Sequence, residues 1–499
     1  MVNYPIRGLY IKDSQLGQFG NRLRFVDSLV IEWTISRMTN KTADAMIPTM
    51  NQPATSIPAA DKKTRGQFFT KNPTVHNVML GLVSHRTGLA LEPSAGAGDL
   101  VALLEKGRPG LAIKAVELDG RIERSCATEI EITDFFTFCN GKERSFDVIF
   151  GNPPYVAWKD VEDSTVASIG PRKERYSDKT NLYHLFIDAS LDLLKKNGEV
   201  IFIVPKEWLY TTSAAPLRAK MSALGAVTHI VDCGEEKLFA DADIPALLIF
   251  RWVRGRKQTS TKFASSLDAA RKKKWVDRYL VSKKDRWMLL DSEHVAAVRD
   301  WGTLGDSFNV RVGLVTGMDK VFRLAEASLV EPECVQYQVD TTRKLVPFLN
   351  VNHVEEWDQM PAKAAAYLTS HKEELIGRRI STFTDGNWWK YGAIRNNEHM
   401  ESKTPRFFSL CKTRSSTPFF KVPKAKYFTG GVLGIFKKSG SKISVDSAIK
   451  LLNDPKYRPV LEAMFLTSED KVSLQPSTLM DSPFPVDEGQ IEEFINPRK

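Results

Sequence analysis

The chain has 499 residues, 42% hydrophobic and 26% charged, which excludes a disordered or fibrous protein and leaves room for two domains or one enlarged domain. No run of about 18 apolar residues is present to span a bilayer, and Met1 to Tyr10 lack the order of a secretory leader, so a soluble, cytoplasmic protein is expected. The net charge of +10 is unevenly spread: residues 251–290 carry 13 Lys and Arg against 3 Asp and Glu, and residues 401–445 carry 10 against 1.

Residues 1–60 show little periodicity, and Met50 to Ala60 is rich in Pro, Ala, Ser and Thr, which predicts an N-terminal extension and linker. From Gly88 onward, short apolar runs (Leu89–Leu91, Ala112–Leu118, Phe146–Phe150, Val200–Val204, Val227–Val231, Ala246–Trp252) alternate with amphipathic stretches. One of these, Leu182 to Lys196, places Leu182, Leu185, Phe186, Ala189 and Leu193 at helical spacing. The alternation predicts an α/β fold with a doubly wound, mostly parallel sheet over residues 61–254. The basic stretch that follows reads as a linker, residues 255–300. Residues 301–499 read as a separate domain, and no repeat of fixed period is apparent. Clustered positive charge suits a polyanion, because neutralised phosphates release their counterions, although a solvated surface has the same composition.

In such sheets ligands bind beyond the carboxyl ends of the strands, so the residues that close each apolar run are the informative ones. The first run ends in Glu92-Pro93-Ser94-Ala95-Gly96-Ala97-Gly98, a small-residue turn that lets backbone approach a ligand closely. The second ends in Glu117-Leu118, about twenty positions on, where a carboxylate can accept from both hydroxyls of a ribose. Only two glycines are present instead of the three of a dinucleotide fingerprint, which favours a ligand with an adenosine and no pyrophosphate. Asp134 and Phe135 follow a third, shorter strand ahead of Phe146 and offer an acceptor and a face to an adenine ring.

The fourth strand ends in Asn152-Pro153-Pro154-Tyr155. Two prolines remove both backbone donors and stiffen the turn, leaving acceptors in a fixed geometry. An amino group on an aromatic ring is a poor nucleophile because its lone pair is delocalised. Acceptors that draw its hydrogens out of plane localise that pair toward an incoming methyl group, so positioning and electrostatics carry the reaction. An amide has no useful basicity, so Asn152 cannot take the proton. Tyr155 offers a π-face to a planar base, and Phe239 is the candidate for a second wall. The cysteines (Cys126, Cys139, Cys233, Cys334, Cys411) are scattered with no ligand spacing, and no metal is expected.

With these residues in view, the chain resembles the gamma class of adenine-N6 DNA methyltransferases of restriction-modification systems. Gly66-Gln67-Phe68-Phe69-Thr70 resembles that family's N-terminal cofactor motif, although Lys71-Asn72-Pro73 stand where a proline usually follows directly. The resemblance covers residues 64 to 254. It implies a seven-stranded Rossmann-like methyltransferase sheet and S-adenosylmethionine as cofactor. The cofactor would be held by Gln67, Phe68, Phe69, Thr70, Glu92, Pro93, Ser94, Ala95, Gly96, Gly98, Glu117, Leu118, Asp134, Phe135, Asn152 and Pro154. Catalysis would fall to Asn152, Pro153, Pro154 and Tyr155, with Tyr155 and Phe239 stacking on the target base. A target inside a duplex must be flipped out to be reached. Val312 to Phe322 and Trp388 to Tyr391 resemble segments of target-recognition domains, which implies that residues 301–499 read double-stranded DNA. Lys403, Arg406, Lys412, Arg414 and Lys421 are the candidate phosphate contacts; Phe407, Phe408, Phe419 and Phe420 among them suit a core equally well. A monomer and a separately encoded cognate restriction endonuclease are expected. Glutamine-N5 methylation of a protein and cytosine-N4 methylation of DNA are the alternatives that an Asn-Pro-Pro-Tyr motif leaves open.

Overall fold

The computed structural model describes residues 70–234, 238, 246–378, 383–384, 386–464, 467–468 and 471–497. Residues 57–499 cluster as one compact unit. The extension expected over residues 1–60 lies outside the described residues.

Helix α1 (Pro73–Leu82) begins with two start signals: the Asn72 side chain accepts from the Thr74 and Val75 amides at 2.9 and 3.2 Å, and Pro73 occupies the first turn. Its Val75, Val78, Met79 and Leu82 bury against the sheet. There follow β1 (Gly88–Glu92), α2 (Asp99–Gly107), β2 (Leu111–Glu117), β3 (Ile130–Ile132), α3 (Phe135–Phe138), β4 (Phe146–Gly151), α4 (Asp163–Ile169), α5 (Leu182–Leu193), β5 (Leu194–Pro205), α6 (Ala215–Leu224), β6 (Gly225–Asp232) and β7 (Leu247–Arg254). The helix expected to reach Lys196 ends at Leu193, where β5 begins.

One mixed sheet organises these elements, in the order β3-β2-β1-β4-β5-β7-β6. Strands β3, β2, β1, β4 and β5 run parallel; β7 runs antiparallel between β5 and β6. Beyond β6 the sheet continues through β8 (Ser260–Ala264), β9 (Val276–Lys283) and β10 (Arg286–Leu290). The expected seven strands are therefore ten among the described residues. The additions also make the sheet less parallel than expected, since β9 opposes both its neighbours.

These added strands lie in the stretch expected to be a basic linker. Its charges are compatible with strand because they sit at exposed positions between buried ones: in β8, Thr261 and Ala264 are buried while Lys262 is exposed. On β10, Trp287 packs edge-on against Trp208, ring centroids 5.7 Å apart, and so joins the core of the sheet.

Residues 301–497 build an antiparallel sheet from Phe308–Val312, Val432–Lys437, Arg406–Leu410 and Phe419–Phe420, and a second sheet from Val335–Val339, Leu345–Leu349 and Tyr427–Phe428. One apolar core of this half includes Met288 and Leu290 of β10. Arg286, also on β10, donates to Asp481 at 2.7 Å and to the Tyr210 carbonyl. The C-terminal half thus shares a strand with the sheet instead of hanging from it by a linker.

Candidate active site

Strands β1 to β4 end side by side at the point where the chain order reverses from β1-β2-β3 to β4-β5. An open pocket lies there. It gathers Thr70, Glu92, Pro93, Ser94, Ala95, Gly96, Glu117, Leu118, Asp134, Phe135, Asn152 and Pro154, residues that are far apart in the chain. Gly98 does not line it. Its left-handed φ of 88° starts α2, and a side chain there would collide with Cys126.

Glu92 is the buried floor of the pocket. One carboxylate oxygen accepts from the Ser94 amide at 3.1 Å, and the other, Oε2, is buried without a hydrogen-bond partner. Burial pushes its pKa up to about 8. A side chain on Gly151 of the neighbouring strand would strike this carboxylate, so glycine ends β4 for a steric reason. Glu117 accepts from the Gly96 amide at 2.8 Å and the Asp119 amide at 2.9 Å, which ties the end of β2 to the glycine turn, and burial raises its pKa as well. Leu118 beside it is 45% exposed, an apolar face open to the pocket. Phe135 stacks on Phe186 with centroids 4.7 Å apart, and both line the wall.

Asn152 leaves β4 with its Nδ2 donating to Thr70 Oγ1 at 3.0 Å, which orients the amide with its carbonyl end away from Thr70. The Asn152 main-chain carbonyl accepts from Ser94 Oγ at 3.1 Å. Pro153 and Tyr155 do not line the pocket. Pro153 is buried, and the Tyr155 hydroxyl donates to the Ile203 carbonyl at 2.8 Å, fixing the ring edge-on to Tyr183. Gln67, Phe68, Phe69 and Phe239 lie outside the described residues.

The side of the pocket contributed by the chain after β4 was not anticipated. Asp160, Val161, Glu162 and Thr165 line it, and Leu182 and Phe186 of α5 complete it. Among the described residues, the lining contains Glu92, Asp99, Glu117, Asp134, Asp160 and Glu162 and no Lys, Arg or His. Such a pocket attracts a cation.

The expected phosphate contacts divide in two. Lys403, Lys412, Arg414 and Lys421 are exposed, Lys421 also pairing with Asp446 at 2.5 Å. The Arg406 guanidinium turns inward to the carbonyls of Met400, Ser402, Thr404 and Lys426 and lies over Phe436, a structural engagement that contradicts its expected role at a phosphate. Phe407, Phe408 and Phe419 are core. Gly313 has no room for a side chain against the carbonyls of Phe428 and Thr429, and Trp388 and Trp389 are buried against Trp357.

Residues 111–239 match the family model of the Eco57I restriction-modification methylase. The chain is similar to type II restriction-modification methyltransferases. It is 23% identical to the type II methyltransferase M.HindII of Haemophilus influenzae over 470 residues, covering 82% of this chain and 88% of that protein. With M.PaeR7I of Pseudomonas aeruginosa the identity is 24%, over 70% of this chain and 74% of the relative. Among solved structures, the type IIL restriction-modification enzyme MmeI in complex with DNA shares the fold at a TM-score of 0.55 and 9% identity, over 85% of this chain and 64% of that one. No described helix is long and apolar enough to cross a membrane.

Proposed function

We propose that the protein transfers a methyl group from S-adenosylmethionine to N6 of an adenine flipped out of duplex DNA, as the modification enzyme of a restriction-modification system whose endonuclease is a separate chain. The observation that carries this reading is the acidic pocket that Asn152 lines. S-adenosylmethionine, when bound, supplies an electrophilic methyl on a sulfonium. The residues present fit it: the unpartnered Glu92 Oε2 suits the methionine ammonium, Glu117 the ribose diol, and Leu118 with Phe135 the faces of the adenine. Glu117 would exchange its backbone donors for the ribose hydroxyls or share itself with them.

On the far side of Asn152 the target amine must arrive with its hydrogens directed at acceptors. The Asn152 amide carbonyl and the carbonyls of the proline turn provide them, held by Thr70 and by the donor-free Pro153-Pro154. Asn152 polarises and does not accept the proton, which leaves after transfer. The restriction-modification relatives support DNA as the substrate, and the exposed Lys403, Lys412 and Arg414 are proposed phosphate contacts. The test is transfer of tritiated methyl from S-adenosylmethionine to duplex DNA. Asn152→Ala should lose at least about 10²-fold in rate, on the scale of removing one transition-state polar contact, while still binding cofactor; near-normal activity would refute the role of Asn152.

A further inference from the structure

The pocket wall contributed by residues 160–165 continues into α4, which carries Ser168 one turn beyond Thr165. Ser168 Oγ lies 2.6 Å from Asp134 Oδ1 and 2.9 Å from the Thr165 carbonyl. A hydroxyl has one proton, and the shorter contact is to a charged acceptor, so the proton goes to Asp134. The same Oδ1 accepts from the amides of Phe136 and Thr137 at 2.9 and 3.1 Å. Three donors on one oxygen fix the carboxylate's rotation and leave Oδ2 as the oxygen available to a ligand. The two amides belong to α3, the helix Asp134 itself caps. Ser168 is the donor contributed by a different element, α4.

We propose that Ser168 is a positioning residue for the adenine of the cofactor: it turns Asp134 so that Oδ2 accepts from the 6-amino group, and it ties α4 across the adenine end of the pocket. This rests on the cofactor reading above. Calorimetric titration of the full chain with S-adenosylhomocysteine and with S-inosylhomocysteine, which lacks the 6-amino group, separates the two claims. For Ser168→Ala, affinity for S-adenosylhomocysteine should fall about tenfold, the equivalent of one charge-assisted hydrogen bond. Affinity for S-inosylhomocysteine should stay within about twofold of the parent, since a variant that merely misfolds loses both. Ser168→Thr, which keeps the hydroxyl, should restore the difference. Equal losses on both ligands, or no loss on either, overturn the proposal. Failure of the unaltered protein to bind S-adenosylhomocysteine overturns the cofactor reading and this proposal with it.

Discussion

Glu92 is an acid whose burial opposes its own ionisation, with a pKa near 8 in the folded chain. A carboxyl whose folded pKa is raised contributes stability that is fully present below its unfolded value, near 4.5, and lost as pH rises through 8. Glu92→Gln removes that dependence. The melting temperature of the cofactor-free variant should therefore gain on that of the parent progressively between pH 5 and pH 8, and parallel pH curves would show that the group is not held as described. The variant's gain in stability should come with weaker cofactor binding, the usual trade at a strained site. Glu92, Glu117, Asp134 and Asn152 were each legible because each ends or follows an apolar run whose own chemistry announces a strand. Asp160, Glu162 and Thr165 were not, since they stand in a connection and the short helix after it, whose sequence marks no strand end, and only tertiary folding brings them to the same pocket. Arg406 was misread because composition cannot tell a guanidinium facing solvent from one facing carbonyls.

At the scale of elements, the pocket depends on close contact between the ends of β1 and β4. Gly151→Ala would drive a methyl into the Glu92 carboxylate, and overpacking of this kind costs about 1–3 kcal/mol. Denaturant unfolding should register that loss, and S-adenosylhomocysteine affinity should fall with it; a fully stable variant with normal affinity would contradict the packing. The parallel strands β1 and β4 were legible because strands buried on both faces are short apolar runs, and β2 because its closing residues, Ala115 to Glu117, are buried. β8, β9 and β10 escaped notice: β9 has no fully buried residue and β8 is only partly buried, and the Lys and Arg clustered over residues 251–290 hide the buried apolar run of β10. Within the Val312 to Phe322 and Trp388 to Tyr391 segments, Gly313 is fixed by close backbone packing and Trp388 and Trp389 are buried.

For the whole molecule, β10 binds the two halves into one unit through Trp287, Met288, Leu290 and Arg286. Arg286 is 4% exposed, and its loss leaves Asp481 and the Tyr210 carbonyl without their donor. Arg286→Ala should cost about 3 kcal/mol in urea unfolding, on the scale of breaking a buried ion pair; a change under about 0.5 kcal/mol, the range of an ordinary surface substitution, would mean that the halves are joined elsewhere. Positive charge concentrated beyond residue 250 predicts that duplex DNA affinity falls steeply with salt, and that reversing the charge of Lys412 and Arg414 together makes that dependence shallower. The most direct measurement is of the product. Duplex DNA incubated with the protein and S-adenosylmethionine, digested to nucleosides and resolved by mass spectrometry, should contain N6-methyladenine with the unaltered chain and none with Asn152→Ala. The appearance of N4-methylcytosine instead, or of no methylated nucleoside at all, would contradict it.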